Sequence, residues 1–341
     1  MSRPDELPGA TTPARRLPVT PGALRSLRTR IRPTAGAFPL AKPTWPGTVP
    51  RPPVQRTLGT EYDTGWARRY PVRLARVLVQ EFVARPAVRA IADPQVSGLD
   101  RIAHLEGPVI FAANHASHLD APLLLSVIPE RWRHHLFVAG AADYFFDTRP
   151  KAATFAFLLN AVPIERRRVS RDSLRRLTTL LGEGWSMLIF PEGGRTPDGW
   201  GQPHSAGAAW LAVRTGRPVV PVHVEGTRRI LARGSSKLTP GTTRVTFGRP
   251  LAAGTGGDAR VLAATVERAV AALADEQTTD WWTAARRAAA RTTPALTGPQ
   301  APAWRRTWAL GERRRRTARA GGRRDGGRWP KASDGRSPRR G

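Results

Sequence analysis

The sequence predicts an α/β fold: a mixed, largely parallel sheet flanked by helices, with an N-terminal amphipathic helix ahead of it and disordered basic ends. Three observations lead there. From Gly107 onward, short apolar runs alternate with stretches of helical spacing, the pattern of strands joined by crossover helices. With 341 residues and 40% hydrophobic content, the chain can bury a sizeable core. The net charge of +29 is concentrated at the ends, since residues 1–60 carry +8 and residues 281–341 carry +14, leaving +7 for the middle.

Residues 1–60 hold twelve prolines among Arg, Thr and Ala, too little apolar surface to order a chain, so this segment is expected to be disordered. Order should begin near Trp66. Between Tyr70 and Ile91, Val72, Leu74, Val77, Leu78, Phe82, Val83 and Val88 alternate with Arg69, Arg73, Arg76, Arg85 and Arg89 at near-helical spacing, and Pro86 should kink or end the first part. Such an arginine-faced helix, flanked by Trp66 and Tyr70, can lie in a membrane interface or pack on the domain. Strands are predicted at 108–113, 135–140, 161–165, 185–190, 218–224 and 243–248 from their apolar runs. Helical spacing fills the intervals at 119–128, 150–159, 170–181 and 205–215, with a last helix at 257–275. The predicted organisation is therefore a disordered 1–60, a docking segment 61–95, a catalytic domain 96–280 and a basic, largely disordered tail 281–341.

Several classes drop out. Without cysteine there are no disulfides, thiolate nucleophiles or Cys-type zinc sites. No run of 18 apolar residues is present, so a spanning helix is not expected. Arg15-Arg16 resembles a twin-arginine signal, but no apolar stretch follows it. The histidines show no zinc spacing, and no metal site is expected. Gly254-Thr255-Gly256-Gly257 lacks the Lys-Ser/Thr of a phosphate loop and reads as a linker.

Four blocks carry the chemistry. In the first, Val109-Ile110-Phe111-Ala112-Ala113 reads as a buried strand that ends just before His115, and Ser117-x-x-Asp120 reads as the start of the next helix. On one continuous helix, residues five apart point about 140° away from each other, so His115 must precede the helix for Asp120 to reach its ring. A neutral imidazole held by a carboxylate is a general base for an alcohol proton. The second block, Val162-Pro163-Ile164-Glu165-Arg166, delivers an arginine from a strand end. The third, Phe190-Pro191-Glu192-Gly193-Gly194-Arg195, turns at a proline and two glycines around a carboxylate and a guanidinium. The fourth, Val219-Val220-Pro221-Val222, is a strand interrupted by proline. Arginine's planar fork matches phosphate oxygens, so Arg166 and Arg195 point to an anionic acceptor. No Gly-x-Ser-x-Gly elbow surrounds Ser117, which argues against a serine hydrolase.

His-x4-Asp, Pro-Ile-Glu-Arg, Phe-Pro-Glu-Gly-x-Arg and Val-Pro-Val, in this order, resemble the four blocks of the glycerolipid acyltransferase family, over about residues 90–255. The resemblance implies transfer of an acyl chain from a thioester of coenzyme A or acyl carrier protein to a glycerophosphate hydroxyl, with no bound cofactor. By position, His115 would be the base and Asp120 its orienting partner. Arg166 would bind the acceptor phosphate, Glu192, Gly193 and Arg195 would complete the acceptor pocket, and Pro221 would shape the acyl side. Gly194 stands where the family commonly has threonine, Asn160 where glycine often opens the second block, and 203–206 lack a basic residue common there. These departures bear on the acceptor headgroup.

The expected protein is thus a peripheral membrane acyltransferase on the cytoplasmic face. It would meet a lysophospholipid at an anionic surface, with 1-acylglycerol-3-phosphate as the default acceptor and another lysophospholipid or glycerol phosphate as the alternative. Its docking elements would be the 70–91 helix and Trp281-Trp282. The competing class is a basic protein binding membranes or nucleic acid through its ends, with a degenerate catalytic domain; nucleic acid is the least expected partner.

Overall fold

The computed structural model describes residues 59–165, 170–196, 199–232, 237–254 and 256–297. Residues 1–58, Arg166 and the Arg313–Arg316 run lie outside the described residues.

Seven strands form one sheet: β1 (Pro94–Ser97), β2 (Ile110–Ala113), β3 (Leu136–Ala141), β4 (Ala161–Ile164), β5 (Ser186–Ile189), β6 (Val219–Glu225) and β7 (Thr243–Phe247), in the order β1-β7-β6-β2-β5-β3-β4. The five strands from β6 to β4 are parallel, while β7 runs antiparallel to β6 and carries β1 parallel on its outer edge. In β2 alternate residues enter two different cores. Phe111 and Ala113 pack with Leu123, Leu124, Val220 and Phe247; Ile110 and Ala112 pack with Leu177, Leu211, Val266 and Val270. A strand covered on both faces must be apolar throughout, which is why these segments read as unbroken runs.

The first core is covered by α2 (Arg85–Ala92) and α3 (Asp120–Val127), the second by α7 (Arg171–Gly182), α8 (Gly207–Thr215) and α10 (Ala259–Thr278). Five shorter or outer helices complete the chain: α1 (Tyr70–Val79), α4 (Glu130–Arg133), α5 (Ala142–Phe145), α6 (Arg149–Leu159) and α9 (Thr227–Ile230). A last helix, α11 (Trp281–Ala289), packs on α10.

One expectation needs correction and one refinement. Residues 94–97 form β1, so the boundary at 95/96 falls inside the sheet; Pro-Gln-Val-Ser has one apolar residue and a proline, tolerated because the strand is at an edge. The first α-helical part ends at Val79, ahead of Pro86, and the proline itself sits in the first turn of α2 rather than stopping the helix. A π-turn over Gln80–Ala84 precedes it, with the Arg85 N–H reaching the Gln80 carbonyl, and the chain continues helical to Ala92. Proline removes an i→i−4 hydrogen bond, and a widened turn absorbs that loss. Glu81, inside the turn, accepts from Arg85 at 2.7 Å, Arg133 at 2.7 Å and His134 at 3.0 Å. Burial would raise its carboxyl, but hydrogen bonds from these three partners hold it down to about 2.

Candidate active site

Ligands of open α/β sheets sit beyond the carboxyl ends of the parallel strands. Here β2 lies between β5 and β6, and the loops leaving β2 and β5 meet at that edge. Asn114 ties the end of β2 to β6 in the manner of a strand residue: its amide donates to the Val224 carbonyl at 2.9 Å and its oxygen accepts the Val224 N–H at 2.7 Å.

His115 follows, outside α3, whose first residue is Asp120. Nδ1 of His115 lies 2.8 Å from Oδ2 of Asp120, and the same oxygen accepts the N–H groups of Ala116 at 2.7 Å and Ser117 at 2.8 Å. An ionised carboxylate only accepts, so the ring proton belongs on Nδ1 and the lone pair on Nε2. The Asp120 side chain is fully buried, whereas that of His115 keeps 14% exposure. The ring stacks on Phe190, centroids 4.1 Å apart, which fixes its plane. Ser117 leaves the base alone: its hydroxyl donates to the Leu231 carbonyl at 2.7 Å and accepts the Leu119 N–H at 3.2 Å.

The loop after β5 is sewn to this one through Glu192. Its two oxygens accept backbone N–H groups, of His115 at 2.9 Å and of Gln202 at 2.9 Å. Burial pushes the carboxyl up to about 7, against the pull of these two donors. The Thr196 N–H closes the clasp on the His115 carbonyl at 2.8 Å. Gly193 turns the loop at φ +67°, where a side chain would be strained. Of the residues singled out from sequence, the structure therefore brings His115, Asp120, Glu192, Gly193 and Arg195 to one edge. Pro221 sits lower, in β6 opposite Ala112, where it lines a cavity of about 200 Å³ with Arg101, Leu273, Trp281 and Ala284.

Two residues of the sequence blocks have roles that motif reading did not assign, and a third feature lies outside the blocks. Asn160, buried at the end of α6, adopts φ 49° and donates to the Leu136 carbonyl at 3.0 Å. Asparagine tolerates the left-handed region, so it does the work of a glycine there. Phe190 opens the third block, but its stacking on the His115 ring carries no sequence signal. The third is a cluster around Tyr144, on α5, whose ring stacks on His118 at 4.7 Å and lies 5.5 Å from the Arg195 guanidinium carbon. His118 is pushed down to about 4, by burial first and then by the charges of Arg195 and His115.

An imidazole oriented by a sealed carboxylate at the carboxyl edge of a parallel sheet can act as a general base on an open α/β fold. Residues 93–225 match the family model described as Acyltransferase. A 1-acyl-sn-glycerol-3-phosphate acyltransferase of Brassica napus is 31% identical over 159 residues, 46% of this chain and 44% of that protein. The human 1-acyl-sn-glycerol-3-phosphate acyltransferase alpha is 27% identical over 146 residues, 40% of this chain and 48% of that one. The chain thus spans less than half the length of these curated relatives. The crystal structure of the 1-acyl-sn-glycerophosphate (LPA) acyltransferase PlsC from Thermotoga maritima superposes with a TM-score of 0.51 at 25% identity, covering 64% of this chain and 86% of that one.

Proposed function

We propose that this protein moves a fatty acyl chain from an acyl thioester, of coenzyme A or acyl carrier protein, to the hydroxyl of a lysophospholipid, with 1-acylglycerol-3-phosphate as acceptor and phosphatidic acid as product. The observation that carries the reading is the Asp120 oxygen that takes the His115 ring N–H and two backbone N–H groups, leaving Nε2 basic. Nε2 removes the acceptor's hydroxyl proton as its oxygen forms a bond to the thioester carbonyl carbon. The tetrahedral intermediate then expels the thiolate by breaking the C–S bond, and the imidazolium returns the proton to sulfur. A thioester is already activated, so no covalent enzyme intermediate is required. Asp120 stabilises the imidazolium formed between the two steps. Arg195, and Arg166 by its place in the second block, hold the acceptor's phosphate so that the hydroxyl meets Nε2.

The acceptor is amphiphilic, so the reaction belongs at a bilayer surface. Among the described residues no helix is long and apolar enough to cross a membrane. Tyr70, Leu74, Leu78, Phe82 and Val83 form an exposed apolar row along α1 and the π-turn, between 47% and 75% exposed, which suits peripheral docking. Trp281 and Trp282 are exposed on α11, which packs on α10 and so belongs to the opposite sheet face from α2. The proposal therefore takes the 70–83 row, continuous with α2, as the docking surface.

Thiol release from acyl-CoA on vesicles carrying lysophosphatidate tests the reading. His115→Ala should lose at least the roughly 10²-fold or more that a general base supplies. A near-normal rate would remove the imidazole from the reaction.

A further inference from the structure

Three loops, leaving β2, β3 and β5, converge on the ring of Tyr144. His118 stacks on it, Arg195 lies 5.5 Å from its centroid, and Lys151, in the first turn of α6, places Nζ 4.2 Å from the same centroid. Phe145 braces the ring edge-on at 5.0 Å. Two like charges drawn to one ring repel each other, and the stacked His118 adds no third charge because burial and its cationic neighbours keep it neutral. Asp147 takes Nζ of Lys151 at 3.0 Å from a half-exposed position. An ammonium has three N–H donors; Asp147 and the ring face engage two. The α6 N-terminus, which no side chain caps, adds the positive end of its dipole on the same side.

We propose that Tyr144 and Lys151, with Arg195, form the part of the acceptor site that selects a phosphate monoester over a phosphate diester. The inference rests on the transfer reaction proposed above and assigns its headgroup selectivity to the loop after β3, outside all four sequence blocks. A monoester carries close to two charges at neutral pH and three acceptor oxygens, whereas a diester carries one charge and two such oxygens. Arg195 offers a fork and Lys151 a point charge beside it, and only the monoester has enough charge and oxygens to engage both. Tyr144 is the platform that holds the ammonium in place, through its π face. Lys151 and Tyr144 are thus specificity-determining residues, on the loop and helix after β3 and outside the His115–Asp120 hydrogen bond.

The test uses the full chain on phosphatidylcholine vesicles, with lysophosphatidate or lysophosphatidylcholine as acceptor. Lys151→Met should raise KM for lysophosphatidate roughly tenfold. The KM for lysophosphatidylcholine should rise far less than that for lysophosphatidate, the KM for acyl-CoA should not follow either, and Lys151→Arg should restore most of the loss. Tyr144→Leu should shift selectivity in the same direction. Equal changes with both acceptors, or none, overturn the inference. If wild type acylates no lysophospholipid, the transfer reading fails separately. The phosphorus NMR linewidth of glycerol 3-phosphate then decides: broadening by wild type that is lost in Lys151→Met supports the site, and broadening that persists overturns it. Inhibition of lysophosphatidate transfer by glycerol 3-phosphate marks a site that takes free phosphate esters; without inhibition it takes the lipid headgroup.

Discussion

Between Asn114 and Asp120, side chains are held by hydrogen bonds that begin and end inside the protein; between Tyr70 and Val83, a row of large apolar side chains is exposed. Both stretches are short, and both are fastened by one buried or half-buried glutamate. Glu192 bridges two backbone N–H groups beside His115, and Glu81 gathers Arg85, Arg133 and His134 beneath the exposed helix. The contrast lies in what each glutamate holds still. Glu192 fixes the backbone that carries the proposed base, where a displacement of about 1 Å would be costly. Glu81 fixes which side of a helix faces outward, and a membrane tolerates looser placement than a transition state.

The contrast predicts that damage at the base is severe and chemical. Asp120→Asn should keep the loop's shape better than alanine, yet it no longer demands the proton on Nδ1, and kcat should fall at least about 10²-fold. Measured kcat within threefold of wild type would mean that the backbone alone orients the ring.

Glu192→Gln probes the clasp. Because the folded-state carboxyl is raised to about 7 from 4.5, its contribution to stability is full below about pH 4.5 and is lost as pH rises through 7. The size of that loss is about 3 kcal/mol. Glutamine does not titrate, so the melting temperature of wild type relative to Glu192→Gln should fall by several degrees between pH 5 and pH 8. A difference constant across that range would show the carboxylate ionised throughout.

Most of the sheet was legible before the structure because β2 to β6 are apolar runs buried between helix layers, and β7 carries Val245 and Phe247 at alternate positions. β1 was not, since Pro94-Gln95-Val96-Ser97 has no run to see, and its partner β7 is 146 residues or more away. The His115–Asp120 pairing was legible from local geometry alone: five residues with a break at Ala116-Ser117 leave the carboxylate within reach of the ring. Glu192 was visible as a residue beside a turn, but its two partners are backbone groups of other loops, and backbone N–H groups carry no sequence signature. Tyr144 and Lys151 belong to no motif and meet His118 and Arg195 only through tertiary structure. An aromatic triplet followed by Lys151 in the first turn of a predicted helix was the nearest signal.

The smallest expected effect is at the exposed row, and it separates docking from chemistry most cleanly. Leu78 and Phe82 lie about half and three-quarters exposed, so replacing both by Asp removes little buried surface and should change stability by only about 0.5 kcal/mol per site. Each carboxylate placed in a bilayer interface must be desolvated, and on anionic vesicles it is also repelled. Turnover of lysophosphatidate in vesicles should therefore drop roughly tenfold. With a short-chain acceptor dissolved in water, the same variant should match wild type, because the Asp120 oxygen, the His115 ring and the Glu192 clasp are untouched. Equal losses in both assays would place the row in the fold's own packing and leave the docking surface to be found elsewhere.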